Sequence, residues 1–190
     1  MTDSATQIPG KRERLVASAT ALFHEQGVQR TTLAEVAERA EVPLGNVYYY
    51  FKTKDELLGA VLAGYQEQAA VLIASFERSR TPQARLKALV RNWVDMRDAV
   101  VRHGCPMGTL CAELDKSEDG LDRDAAEVIA TIIDWAEDQF RELGRPDARD
   151  LAVALMASYQ GIALLTNTFR DPDLMARESR RLERWVESLA

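Results

Sequence analysis

Residues 31–54, TTLAEVAERAEVPLGNVYYYFKTK, constrain this chain more than any other stretch. Leu33, Val36, Ala37 and Ala40 fall at i, i+3, i+4 and i+7, which is one apolar face of a helix and not the alternation of a strand. Thr32 before them is a good N-cap, and Glu35 three residues on completes a capping box. Pro43 disfavours helical geometry at Val42, so this helix is expected to end near Glu41. Pro43 itself suits the first turn of a second helix, where a missing N–H is tolerated. In that helix Leu44, Val47, Tyr48 and Phe51 are expected to form the inward stripe. Gly45, Asn46 and Tyr49 are left outward, with Tyr50 at the edge. Thr53-x-x-Glu56 is a second capping box and opens another helix, with Lys52 and Lys54 beside its N-terminus.

A small residue, an amide and phenols make an unusual outward face for so short a helix. Gly45 allows close approach, and Asn46 can pair bidentately with an adenine edge. Tyrosine hydroxyls reach phosphate oxygens. A helix N-terminus with adjacent lysines is a ready phosphate site. The plainer reading of the same residues is a structural helical hairpin. In that case Tyr50 is an edge packing residue, and Tyr48 offers at most its hydroxyl.

The segment VPLGNVYYYFKTKDELL, preceded by TTLAEVAERA, resembles the helix-turn-helix signature of the TetR-type transcriptional repressors, in order, spacing and residue type, over roughly residues 11–62. The resemblance implies an all-α fold of about nine helices. It implies an N-terminal three-helix helix-turn-helix domain and a C-terminal helical domain for ligand binding and dimerisation. By matching positions it implies that Thr32, Leu44, Gly45, Asn46, Tyr48, Tyr49, Tyr50 and Lys54 contact double-stranded operator DNA. Members similar to this bind as homodimers to palindromic operators and are released by a small molecule. Two positions depart from the family pattern, which often has Ser at Pro43 and a polar or basic residue at Leu44. Leu44 therefore either meets a thymine methyl or packs.

Composition agrees with a DNA contact confined to one end. Net charge is −6, which by itself argues against a general nucleic-acid binder. Residues 1–54 carry seven Lys/Arg and six Asp/Glu, net +1, whereas 55–190 carry 17 and 24, net −7. These two segments are the expected domains, 1–54 for DNA and 55–190 for ligand and dimer. Residues 1–10 read as a short mobile tail without a signal-peptide core. No run approaches 18 apolar residues, so no membrane partner is expected. Two cysteines do not suggest a disulfide framework, and a reducing cytoplasm is the default location.

Helical periodicity continues to the end of the chain. Helices are expected over 11–26 and 55–78, then over 81–103 from a Thr81-Pro82 start. Three more follow Pro106, Leu121 and Asp147, and a last one follows Asp171-Pro172. Residues 117–120 read as a polar turn. The most apolar helix, 147–167, has more apolar surface than one buried side needs. With the last helix it is expected to build a two-fold interface through Leu155, Ile162, Leu182, Trp185 and Leu189.

Bulky, flexible side chains converge near the break at Gly104-Cys105-Pro106. Trp93, Met96, Cys105, Met107, Leu110, Ile129, Ile132, Met156 and Tyr159, with the polar Gln160, are the candidate wall of a pocket for a small, largely apolar effector. The plainer reading is that most of these residues are ordinary core and only some line a cavity. The pattern G-C-x-x-G-x-L-x-x-E, from Gly104 to Glu113, resembles a segment of the family branch that includes LmrA- and YxaF-like regulators. Cys105 is either an inert thiol or the input of a thiol- or electrophile-sensing repressor. A Cys105–Cys111 disulfide is disfavoured, because six residues of helix part them by about 120°. His103, Cys105 and Cys111 match no zinc spacing, so no metal or other cofactor is expected. No catalytic motif is present, which leaves a helical small-molecule enzyme or carrier as the rival of another class.

Overall fold

Local capping decides where the first helices begin and end. The computed structural model describes residues 10–114 and 120–189. Apart from Gly10 and Gly120, the tail and the 117–120 turn lie outside these residues. α1 (Lys11–Gln26) buries Leu15, Ala19 and Phe23 along one stripe. α2 (Leu33–Arg39) opens on the expected capping box. Thr32 Oγ1 accepts from the Glu35 N–H at 3.2 Å, and Glu35 Oε2 accepts from the Thr32 N–H at 2.7 Å. Those bonds, the backbone one first, hold the Glu35 carboxyl below the usual carboxylate range.

The turn between α2 and α3 (Leu44–Tyr50) is a Schellman motif. The Val42 N–H bonds Ala37 O at 3.0 Å and the Glu41 N–H bonds Glu38 O at 3.0 Å, with Glu41 left-handed at φ 52°. This is where α2 stops; Pro43 then stands at the N-cap of α3. A bidentate pair from Arg39 to Glu25, at 2.5 and 2.7 Å, ties α2 to α1. α3 buries Val47 completely, and Phe51 just beyond its end, but Leu44 and Tyr48 are exposed. The expected inward stripe was too wide. Leu44 and Tyr48 sit about 60° and 100° around the axis from Val47, and the core beneath a seven-residue helix covers a narrower arc.

α4 (Lys54–Phe76) opens with Thr53 Oγ1 accepting from the Glu56 N–H at 3.1 Å, while Glu56 Oε2 reaches back to the Lys52 N–H at 2.6 Å. Two compact units result, Met1–Val61 and Leu62–Ala190. Their boundary lies within α4, beyond residue 54 where the charge change placed it. The reason is burial: Leu57, Leu58 and Val61, on the first two turns of α4, belong to the core of the N-terminal unit.

The second unit continues with α5 (Pro82–Asp95), α6 (Arg97–His103), α7 (Pro106–Leu114), α8 (Leu121–Glu142), α9 (Ala148–Phe169) and α10 (Pro172–Glu187). α5 and α6 are the single helix read over 81–103, parted at Met96, where Met96 N bonds Trp93 O and Ala99 N bonds Met96 O in a tighter i→i+3 pattern. The Thr81 hydroxyl caps α5 by accepting from the Ala84 N–H at 3.2 Å. Asp171 caps α10 by accepting from the Asp173 and Leu174 N–H groups at 2.9 and 3.1 Å. The core is formed by Leu86 and Val90 of α5, Phe140 of α8, Leu155 of α9, and Met175 and Val186 of α10. Each such side chain contributes about 1.5–3 kcal/mol by leaving water. Lys87 and Arg91 add ion pairs from α5 to Glu183 of α10, at 3.7 and 3.2 Å. α4 and α9 are long and apolar enough by length and hydropathy to cross a membrane, although neither is an unbroken apolar run.

Candidate nucleic-acid interface and ligand cavity

Within the N-terminal unit, α3 presents Leu44, Gly45, Tyr48 and Tyr49 to solvent, with Asn46 and Tyr50 half-buried beside them. Tyr49 is 76% exposed, far more than an aromatic side chain with a packing role would be. Its ring meets Tyr50 edge-on, with centroids 5.0 Å apart. Val47 anchors the helix from below, so the outward face is held by a single buried side chain and the Schellman turn.

Two nominated residues are engaged elsewhere. The Thr32 hydroxyl accepts from the Glu35 N–H and donates to Glu35 Oε2 at 2.8 Å, so it is committed to its cap. Lys54 Nζ donates to the carbonyls of Val28 at 2.9 Å, Thr31 at 3.3 Å and Gln29 at 3.4 Å. The ammonium therefore closes the α1–α2 loop onto the start of α4, where the sequence suggested a phosphate contact. Lys54→Ala should lower the stability of this unit by about 1.5–3 kcal/mol, the range for hydrogen bonds to a charged group. Urea denaturation of the variant checks this; a midpoint equal to the wild type's would refute it. Lys52, whose Nζ donates to Tyr48 O at 2.8 Å from an exposed position, is the basic side chain nearer the α3 face.

In the second unit a cavity of about 160 Å³ lies among α4, α5, α7, α8 and α9. Trp93, Met96, Cys105, Met107, Ile129, Ile132, Met156, Tyr159 and Gln160 all line it. Leu110 does not; it is buried a turn further along α7, whereas the cavity meets only the first turn of that helix. Trp93 and Tyr159 stack on one wall, with centroids 4.1 Å apart and planes 14° from parallel. Phe76 and Trp135 meet on another at 5.6 Å, and Trp135 Nε1 donates to Glu77 at 2.7 Å. Burial, and then the neighbouring Cys105, pushes the Tyr65 phenol up to about 12 and raises Tyr159 in the same direction. The Gly108 N–H donates to Cys105 Sγ at 3.3 Å, and both cysteines are free thiols. Among the described residues no cluster of His, Cys, Asp and Glu could hold a metal ion.

The α4 wall was not anticipated. Tyr65, Ala69, Leu72, Ile73 and Phe76 line the cavity at i, i+4, i+7, i+8 and i+11, a periodic signal that is visible in the sequence.

The expected dimer residues lie mostly on the inward edge of α9 and α10. Leu155, Ile162 and Leu182 are buried in their own chain, and Trp185 and Leu189 pack partly against its core. The outward side of α9 instead carries Val153, Ala157, Gly161, Leu164, Leu165 and Phe169, all exposed. Leu164 and Phe169 are each 65% exposed. A shallow groove beside them runs between α9 and α10 over Ser158, Gly161, Leu165 and three of the expected dimer residues, Ile162, Leu182 and Trp185.

These two sites match known families in the same order along the chain. Residues 15–61 match the pattern of bacterial regulatory proteins of the tetR family, and residues 82–182 match the tetracyclin repressor-like C-terminal domain, which is more than half of the chain. The chain belongs to the TetR family of transcriptional regulators. An uncharacterized HTH-type transcriptional regulator of Mycobacterium tuberculosis strain H37Rv is 29% identical over 188 residues, covering 91% of this chain and 94% of the relative. Another HTH-type regulator, encoded in the lacX 3′ region of Lactococcus lactis, is 24% identical, covering 86% and 87% of the two chains. The crystal structure of a TetR transcriptional regulator from Legionella pneumophila superposes with a TM-score of 0.85 over 96% of this chain and 98% of that one, at 16% identity. A TetR regulatory protein from Rhodobacter sphaeroides gives 0.81 over 92% and 97%, at 24% identity. As a TetR-family regulator, the protein carries its DNA-binding helix-turn-helix at α2–α3, and the enzyme alternative falls away. Regulators of this family bind operator DNA, typically as dimers.

Proposed function

We propose that this protein is a cytoplasmic, ligand-responsive repressor that binds a palindromic operator as a homodimer and is released by a small apolar effector. The observation that carries the reading is the α3 face: a seven-residue helix entered from a Schellman turn, whose solvent side is Leu44, Gly45, Tyr48 and Tyr49 with Asn46 half-buried beside them. In the bound state α3 lies in the major groove, and two copies of it read half-sites about 34–36 Å apart. Asn46 reads a base edge and Tyr49 anchors to phosphate. α4 gives Leu57, Leu58 and Val61 to the buried residues of the first unit and Tyr65, Ala69, Ile73 and Phe76 to the cavity wall of the second. An effector releases the protein if it binds more tightly to a state in which the two α3 helices no longer match the half-site spacing.

Asn46→Ala tests the docking. It should cost about 1–3 kcal/mol in affinity for DNA upstream of the protein's own gene. The loss should be specific: affinity for unrelated DNA should change little. Fluorescence anisotropy at fixed salt reads both. Equal affinity of variant and wild type for the upstream DNA would remove Asn46 from the interface.

A second reading keeps the DNA function and makes Cys105 the input. The observation favouring it is that this thiol lines the cavity. Cys105→Ser should abolish the response to an electrophile such as N-ethylmaleimide on this reading, while DNA binding stays at the wild-type level. A response that survives the substitution makes the thiol a structural cap of α7.

A further inference from the structure

The chemistry of the cavity wall narrows the class of effector. Among the described lining residues there is no carboxylate, ammonium, guanidinium or imidazole. A charged ligand would lose its water there with no opposite charge to meet it. The volume, about 160 Å³, is close to that of apolar protein cavities that hold one benzene ring. The stacked Trp93–Tyr159 pair offers a flat wall of aromatic carbon.

Several polar groups on the wall have only sulfur for a partner: the Tyr159 side chain is hydrogen-bonded to Cys105. Gln160 Nε2 has Met156 Sδ at 3.9 Å, and Asn92 Nδ2 has Met96 Sδ at 3.9 Å, and a thioether is only a weak acceptor. The position of the Gln160 amide depends on Gly108. A methyl group added at Gly108 would fall 2.4 Å from Gln160 Oε1 and 3.3 Å from its amide carbon. The bare backbone of α7 therefore lets the carboxamide lie against it and leaves the cavity open. That gives a physical role to the second glycine of the G-C-x-x-G segment. The first, Gly104, ends α6 with φ 81°.

We propose that the effector is an uncharged, single-ring arene with one hydrogen-bonding substituent, held so that this substituent meets Tyr159 and Gln160. The proposal rests on the reading that this cavity is the regulatory site. Both cavity tyrosines are neutral at neutral pH, as phenols ordinarily are, and burial moves them further from ionising, so the wall carries no charge that would favour an ionic ligand.

Three probes of the same ring size separate the terms: phenol, toluene and benzoate. They are titrated into the full-length protein without DNA, read by calorimetry and by the fluorescence of Trp93 and Trp135. Phenol should bind about tenfold more tightly than toluene, in keeping with one hydrogen bond gained by groups whose present partner is a weakly bonding sulfur. Benzoate should bind at least tenfold more weakly than phenol. Gln160→Ala should reduce phenol to the affinity of toluene. Gly108→Ala should weaken both neutral probes about tenfold by moving the carboxamide into the cavity; if that variant does not fold, Gln160→Ala still decides. Benzoate binding as tightly as phenol overturns the proposal. So does an unchanged preference for phenol over toluene in Gln160→Ala, or no binding of either neutral probe at millimolar concentration. Because the readout involves no DNA, the two readings fail separately. Probes that bind with this pattern but leave operator binding untouched remove the regulatory role and keep the cavity chemistry. Operator binding with no probe binding does the reverse.

Discussion

Leu164→Glu is expected to give a folded monomer that binds operator DNA on the order of 10²–10⁴-fold more weakly than the wild type, the range by which linking two sites raises avidity. The argument starts from the two sides of α9. One side, through Ala152, Leu155, Met156, Tyr159, Ile162 and Ala163, is buried in its own chain. The other side is apolar and uncovered, with Leu164 and Phe169 each 65% exposed. An exposed apolar stripe of this length is unusual on a monomer and is what an interface looks like before it closes. The small residues Ala154, Ala157, Ser158 and Gly161 on the same side allow another helix to come close. A two-fold axis would set α9 against its own symmetry mate, so each Leu164 meets the same patch of the partner. Glutamate there buries two like charges in the dimer but stays in water in the monomer. Folding should therefore be spared, since surface substitutions usually cost within about 0.5 kcal/mol. Ile162→Glu is the contrast: Ile162 is 8% exposed, so a charge there should unfold the chain and report nothing about assembly. Light scattering should give a mass near 21.2 kDa for the Leu164 variant and twice that for the wild type, with matching circular dichroism. A Leu164→Glu protein that remains dimeric would place the interface elsewhere.

That contrast also shows where the sequence stops being legible. Thr32, Glu35, Thr53, Glu56, Thr81 and Asp171 announce helix starts because a cap is a local event, settled within three or four residues. The apolar stripe of α1 and the break at Gly104 are local in the same sense. Which side of an apolar helix faces its own chain is not local. On α9, Ile162 and Leu164 are both aliphatic, and only the packing of α8 and α10 decides that one is core and the other surface. The same ambiguity put Leu44 and Tyr48 on the inward side of α3. Lys54 shows the same limit in another way: a lysine at a helix N-terminus suits a phosphate, and only the fold brings the Val28, Gln29 and Thr31 carbonyls within its reach. The cavity was legible from the bulk of Trp93, Met96 and Met156 around a helix break. Its α4 wall is less legible, because the stripe from Tyr65 to Phe76 has the same period whether it packs against a neighbour or faces a cavity.

Trp93→Ala is expected to cost about 3–5 kcal/mol of stability, the range for truncating a large buried aromatic side chain. Trp93 is 4% exposed and stacks on Tyr159, so the change removes packing on both faces of the indole. The space left joins an existing cavity of about 160 Å³, which the surrounding helices already leave open. Such a site has little means of collapsing, which puts the cost toward the upper part of the range. The same change removes the flat wall against which a ring would lie, so effector response should fall with stability. Trp93→Phe separates the two losses. It keeps an aromatic face for Tyr159 and most of the buried area, so more than half of the stability should return. The pocket would then be wider by the missing pyrrole ring, and a small arene should bind more weakly in it than in the wild type. Thermal unfolding and a phenol titration on the two variants read the two quantities independently. If Trp93→Ala unfolds at the wild-type temperature, the indole is not part of the packed core. If Trp93→Phe regains stability and also binds phenol as tightly as the wild type, the stacked pair does not form the surface that holds the ligand.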